Sequence, residues 1–130
     1  MIRPAPSWQL LRYFTPKEFD SPDAPGSGAA MNTEFVWILD EIRANISVPL
    51  IVNSGFRTVL HNAKVGGTPA SAHLVGLAAD IRPRQWSDEI RAKIIFTAAA
   101  LGIRRIGIAK SYIHLDASER NPRPRIWLYE

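Results

Sequence analysis

Residues 71–80, SAHLVGLAAD, form the stretch around which the rest of the chain is arranged. Gly76 permits a turn or a close backbone approach, and the apolar residues after it predict a strand that runs to Ile81. His73 is then expected in the loop before this strand, and Asp80 on the strand itself. Imidazole and carboxylate groups both bind metals, so this stretch predicts half of a metal site.

A second polar stretch, residues 112–116, supplies another imidazole downstream. If it forms a strand, the period of two puts Tyr112, His114 and Asp116 on one face and the apolar residues between them on the other. Two imidazoles and one carboxylate leave a position open on a zinc ion, which is typical of a catalytic site. Taken singly, each of the three ligands is better explained as a loop residue, a strand-end cap or a core histidine.

Composition limits the kind of protein to consider. At 130 residues, with 46% hydrophobic and 22% charged residues, the chain predicts a single domain over residues 1–130, with residues 1–12 as a tail. The absence of cysteine excludes disulfides, thiolate metal sites and cysteine nucleophiles. No apolar run spans a bilayer and no secretory signal is recognisable, so we expect a soluble chain without membrane insertion.

The net charge of +4 favours polyanionic partners in general, either nucleic acid or the anionic polymers of a bacterial envelope. The arginines of the C-terminal half are scattered, and no nucleic-acid-binding motif accompanies them. We therefore expect a solvated basic surface, no specific nucleic-acid partner and a monomer. These arginines are Arg82, Arg84, Arg104, Arg105, Arg120, Arg123 and Arg125.

The order of predicted elements indicates the fold class. Apolar residues at helical spacing predict helices over residues 33–45 and 87–101, and residues 58–65 predict one or two further turns. Short strands are predicted over residues 50–52, 77–81, 103–108, 112–116 and 125–129. Because strands and helices do not alternate regularly, we expect an α+β domain with helices packed on a small, largely antiparallel sheet and a zinc site in a central cleft.

Further motifs occur in order along residues 14–129. They are residues 18–23 (EFDSPD), 53–57 (NSGFR), 61–62 (HN), 65–67 (VGG) and 106–110 (IGIAK). Together with residues 71–80 and 112–116, they resemble the zinc D-Ala-D-Ala peptidases of the M15 class. The resemblance is strongest to small single-domain members encoded by phages or prophages.

The resemblance implies that His73, Asp80 and His114 bind one Zn²⁺, with water completing its shell. It implies hydrolysis of an amide bond in peptidoglycan stem peptides or cross-links, as a carboxypeptidase or an endopeptidase of the endolysin kind. Arg57, in the family's Ser-Gly-Tyr/Phe-Arg motif, is expected to hold a substrate carboxylate or the developing oxyanion. Ser71 matches a family serine that can orient the site or contact substrate, although capping explains a loop serine equally well.

Ser111 departs from the family pattern, because many relatives have Glu or Asp three residues before the last zinc histidine as general base. A serine cannot accept a proton from water at neutral pH. Asp116 shares a strand face with His114 and is the replacement that we predict, although it can equally hold a zinc histidine by a hydrogen bond. Glu119 is a weaker alternative.

The aromatic residues near the end of the chain, including Trp127 and Tyr129, are interpreted as packing residues. Tyr112 shares the face of His114 and is expected to line the substrate groove. Because of the serine at position 111, a second function stays open: a non-catalytic cell-wall-binding or virion structural module that keeps the peptidase fold.

Overall fold

The computed structural model describes residues 6–129. Its helices are α1 (Thr33–Ile46), α2 (Val59–Lys64) and α3 (Asp88–Ala100), and its strands are β1 (Leu50–Ser54), β2 (Ala78–Pro83), β3 (Arg105–Ile108), β4 (Ile113–Asp116) and β5 (Arg125–Leu128). Short 3-10 turns cover Trp8–Leu10, Pro16–Phe19, Ser27–Ala30 and Ala72–Val75. Within the described residues, no helix is both long and apolar enough to cross a membrane.

The five strands form one open sheet in the order β1-β2-β4-β3-β5. Neighbouring strands are antiparallel except for β5, which lies parallel to β3 at one end of the sheet. β2 and β4 are therefore adjacent in the middle of the sheet, although α3 and β3 separate them along the chain. The predicted α+β class with a largely antiparallel sheet is confirmed.

Helices α1 and α3 cover one face of the sheet. Asn32 caps α1 by accepting a hydrogen bond from the N–H of Phe35 at 3.0 Å, and Ser87 caps α3 in the same way. Apolar residues on these helices pack against the fully buried Ile113 and Leu115 of β4. Because strand residues alternate in direction, the polar residues of β4 project from the opposite face.

The N-terminal part of the described chain is held against the domain. Residues 1–12 were expected to form a tail, and residues 1–5 of that segment lie outside the described residues. In the remainder, Trp8 packs against the hydrophobic core. Arg12 donates from its main-chain N–H and its Nε to the buried carboxylate of Asp40 on α1, at 3.2 and 3.0 Å.

The 3-10 turn Pro16–Phe19 supports the loop that follows β1. The N–H of Thr15 donates to the carboxylate of Glu18 at 2.8 Å, which fixes the start of the turn. Phe19 at its end is fully buried, and its carbonyl oxygen accepts a hydrogen bond from the N–H of Phe56 at 2.9 Å. The N-terminal segment therefore positions the chain just before Arg57.

Candidate metal centre

Three metal-binding side chains meet on the face of the sheet opposite α1 and α3. Strands β2 and β4 pair with Asp80 directly opposite His114, and Nδ1 of His114 lies 2.8 Å from Oδ1 of Asp80. Nε2 of His73 lies 3.5 Å from the same oxygen. Ligand atoms of the three residues all lie within 4.8 Å of one another. The structure thus brings together the three residues that the sequence predicts as metal ligands.

The 3-10 turn Ala72–Val75 carries His73 to this point, where a loop was expected. Ser71 caps the turn, its Oγ accepting a hydrogen bond from the N–H of His73 at 3.3 Å. Gly76 ends the turn with a φ of +72°, and a Cβ there would lie 2.5 Å from the carbonyl oxygen of Ala30. The position therefore requires glycine, and the chain passes from it directly into β2.

The imidazole of His73 is oriented by hydrogen bonding at Nδ1. This nitrogen lies 2.7 Å from the carbonyl oxygen of Gly55, which can only accept, so Nδ1 carries the proton and Nε2 keeps its lone pair. Nε2 is buried and has no hydrogen-bond partner among the described residues. Leaving a buried polar atom unpaired costs free energy, which a cation at this point would offset. The cluster therefore fits a metal ion.

The carboxylate of Asp80 is held in its ionised form. Burial on its own would raise the pKa of Asp80, but the hydrogen bond from His114 and the nearby imidazoles outweigh it and lower the pKa well below the usual range. Burial opposes a positive charge on His114, but its hydrogen bonds to Asp116 and Asp80 outweigh burial and raise its pKa. An anionic oxygen between two imidazoles is a suitable environment for a divalent cation.

Asp116 is engaged on several sides. Its Oδ2 lies 2.7 Å from Nε2 of His114, and the carboxylate also accepts from Nε of Arg105 at 3.0 and 3.1 Å and from the N–H of Ser118 at 3.1 Å. Burial would raise the pKa of Asp116, but these partners, His114 foremost, lower it. With 2% of its side chain exposed, Asp116 is an ionised acceptor inside a network and has little contact with solvent.

Arg57 lies beside the cluster at the end of the loop that follows β1. Its Nη2 is 3.4 Å from Oδ2 of Asp80, its Nε donates to Ser54 at 3.1 Å and its Nη1 donates to Asn62 at 3.3 Å. Its main-chain N–H donates to the carbonyl oxygen of His73 at 3.1 Å. Together with the hydrogen bond from Nδ1 of His73 to the carbonyl oxygen of Gly55, this contact joins the loop after β1 to the turn that carries His73.

The cluster opens into a cleft of about 350 Å³ that is lined by Ser71 and Tyr112, the two residues predicted to contact substrate together with Arg57. Trp127 and Tyr129 line it as well, although their sequence context indicates packing residues. The ring of Tyr129 lies 5.4 Å from that of Tyr112 and 6.1 Å from that of Trp127. We call these three side chains the aromatic wall.

The pairing of β5 with β3 explains why the sequence pattern does not identify two residues of the aromatic wall. Trp127 lies opposite Gly107, which itself lies opposite His114 on β4, so Trp127 projects on the face that carries the cluster. Arg105, interpreted from the sequence as part of a solvated basic surface, also lines the cleft. A period-two pattern on β3 and β5 would show which residues share a face, but not which strands are neighbours.

Ser111 and His61 are not among the residues that line the cleft. Ser111 is exposed in the turn between β3 and β4, and His61 belongs to α2. Among the described residues that line the cleft, the carboxylates are those of Asp80 and Asp116. Both carboxylates already have close partners within the cluster.

Fold and cluster together define a class of protein, an α+β domain with two histidines and an aspartate that could hold a metal ion in an open cleft. The model of the peptidase M15 family matches residues 12–116 of the 130-residue chain, a range that includes His73, Asp80 and His114. The chain belongs to the peptidase M15 family, whose members are zinc-dependent metallopeptidases in general. A search of curated proteins finds no match.

Proposed function

We propose that this protein is a zinc peptidase that hydrolyses an amide bond in peptidoglycan stem peptides or their cross-links. Family membership supports a metallopeptidase. The resemblance of its motifs to the D-Ala-D-Ala peptidases supports a wall substrate. The observation that carries the zinc assignment is the buried, unpartnered Nε2 of His73 next to Asp80 and His114.

Three residues would hold the metal: His73 through Nε2, Asp80 through its carboxylate and His114 through Nδ1. When bound, zinc lowers the pKa of its water ligand to about 7 and polarises a peptide carbonyl. Arg57 adds a positive charge next to Asp80 and is placed to attract a substrate carboxylate or the developing oxyanion. Tyr112 and the rest of the aromatic wall would provide an aromatic surface for the substrate within the same cleft.

Asp116 is assigned the role of holding His114 and not that of general base. Its carboxylate accepts hydrogen bonds from Nε2 of His114, from Arg105 and from Ser118, and each of these contacts favours its ionised form. A carboxylate stabilised in this way is a weak proton acceptor. Because general base catalysis typically contributes about 10²–10⁴-fold in rate, we expect turnover to be slow.

A non-catalytic module that binds the cell wall or forms part of a virion is the second candidate. Ser111 is exposed at the position where many relatives have the general base, and both carboxylates that line the cleft are already engaged. Such a module would keep zinc and the cleft but release no product.

Zinc analysis and wall digestion test the proposal. We expect one zinc per purified chain, and release of fragments from purified peptidoglycan that stops with a chelator and returns with zinc. Mass spectrometry of the products identifies the bond that is cut, and His114→Ala serves as the control without metal. Zinc binding with no cleavage of any wall type would favour the binding module, and a failure to bind zinc would contradict the site itself.

A further inference from the structure

The pairing of β3 with β4 brings Arg105 next to the candidate site. Arg105 lies directly opposite Asp116 in the antiparallel register, and 11% of its side chain is exposed. The guanidinium also lies over the ring of Trp127, at 5.0 Å from its centre. A guanidinium so far removed from water requires specific partners, because desolvating a charge is costly.

The main partner of Arg105 is the carboxylate that holds His114. Nε of Arg105 donates to both oxygens of Asp116, and Oδ2 of Asp116 faces Nε2 of His114. Arginine is always protonated and only donates, so it keeps this carboxylate an acceptor. Asp116 therefore fixes Nε2 of His114 as a donor, and Nδ1, which contacts Oδ1 of Asp80 at 2.8 Å, is the nitrogen that would offer its lone pair once a metal takes the place of the proton.

The same guanidinium fixes the loop of residues 117–124. Nη1 of Arg105 donates to the carbonyl oxygen of Pro122 at 2.6 Å. In this loop, the side chain of Asn121 donates to the carbonyl oxygen of Ala70 at 2.9 Å, immediately before the turn that carries His73. Arg105 is thus linked to His114 through Asp116, and to the turn that carries His73 through the loop of residues 117–124.

We propose that Arg105 is a positioning residue for the metal centre, acting through Asp116 to fix the tautomer and orientation of His114. This inference rests on the metal site of the proposed function. It does not require that the protein cleaves peptidoglycan, so metal affinity can test it without an activity assay.

Zinc affinity of the folded, metal-free protein is the direct test. We expect Arg105→Gln to weaken zinc binding, by at most the ~10–100-fold that is usual when a direct partner of a metal-binding histidine is removed, since Arg105 acts through Asp116. We also expect a changed visible spectrum of the Co²⁺-loaded protein, because His114 would be free to rotate. Urea unfolding in a chelator, run in parallel, measures any general loss of stability. If Arg105→Gln does not fold, Arg105→Lys keeps the charge without the planar fork and should show a smaller loss of affinity.

Arg91 provides a matched control. It also lies over a tryptophan, with its guanidinium 4.2 Å from the ring centre of Trp86, and it also donates to a main-chain carbonyl, that of Ala109 at 3.3 Å. It differs from Arg105 in having no contact with Asp116 or a metal ligand. Arg91→Gln should therefore bind zinc with the affinity of the wild-type protein.

A double-mutant cycle shows whether Arg105 affects zinc binding through Asp116 or independently of it. Asp116→Asn should weaken zinc binding by itself, and Arg105→Gln should add little in the Asp116→Asn background. Additive losses, or unchanged zinc affinity in Arg105→Gln, would overturn the inference. Wild-type protein that binds no zinc would overturn both this inference and the proposed function, whereas zinc binding without wall cleavage contradicts hydrolysis alone.

Discussion

Gly107 shows how a single residue shapes the cleft. A Cβ at this position would lie 2.6 Å from a ring atom of Tyr129 and 2.7 Å from two ring atoms of Trp127. These distances are shorter than any ordinary contact, so two rings of the aromatic wall rest on the bare backbone of β3. The wall has its present form because residue 107 has no side chain.

Gly107→Ala is expected to displace the aromatic wall and to lower the free energy of unfolding by about 1–3 kcal/mol, the usual cost of overpacking. Urea unfolding and tryptophan emission measure the two effects. In a Trp127→Ala background the clash is partly relieved, so the same substitution should cost less. An equal cost in both backgrounds would contradict a clash with the ring of Trp127.

The two histidines of the cluster illustrate what sequence can and cannot show at this scale. The spacing of polar residues and the family motifs are sufficient to select His73 and His114 as candidate ligands. They do not show which nitrogen would face a metal, because that depends on the carbonyl of Gly55 for one ring and on Asp116 for the other. Both partners are fixed by tertiary contacts that residue spacing does not contain.

At the scale of elements, α1 holds the N-terminal segment through one buried side chain. Asp40 is 1% exposed and accepts hydrogen bonds from the N–H groups of Arg12 and Tyr13 and from Nε of Arg12. The neighbouring Glu41 also bonds to Arg12, at 2.7 Å, but is only partly buried. The two acidic residues therefore provide a comparison between a fully buried and a partly exposed anchor.

Asp40→Ala should lower the free energy of unfolding by about 2–3 kcal/mol, because several hydrogen bonds to a charged acceptor are lost. Glu41→Ala should cost at most about 1 kcal/mol, as is usual for an exposed ion pair. Urea unfolding gives both values, and trypsin cleavage after Arg12 should become faster only in Asp40→Ala. Equal losses in the two variants would argue against Asp40 as the anchor.

The elements differ in how well the sequence predicts them. The helices α1 and α3 are predicted to within a few residues, because apolar spacing and the caps Asn32 and Ser87 are local signals. The position of β5 next to β3 is not predicted, because the partner of a short strand is set by packing across the whole sheet. For the same reason, sequence patterns leave Arg105 among the surface arginines.

For the whole molecule, the candidate metal centre joins parts of the chain that are far apart in sequence. His73 lies on a turn, Asp80 on β2 and His114 on β4, while the opposite face of the sheet packs on the helices. An unfolded chain cannot hold these three residues within 4.8 Å of one another. A metal that binds only the folded state must therefore stabilise the entire domain.

Zinc is expected to raise the free energy of unfolding by about 4 kcal/mol at a free concentration 1,000 times the dissociation constant. Thermal unfolding in zinc and in a chelator measures this shift. His114→Ala should show no comparable shift, because one ligand is missing. A wild-type transition that does not respond to zinc would contradict binding to the folded state.

Because β5 is an edge strand, the two sides of the cleft differ in how easily they can open: β2 and β4 lie inside the sheet and β5 lies at its edge. Asp80 and His114 lie on strands with neighbours on both sides, whereas β5 has a single neighbour and needs less free energy to separate locally. Main-chain amides of β5 should therefore exchange with solvent faster than those of β4. Trp127, the residue of the aromatic wall that lies on β5, is therefore on the side of the cleft that can widen locally, while the candidate ligands on β2 and β4 keep their spacing.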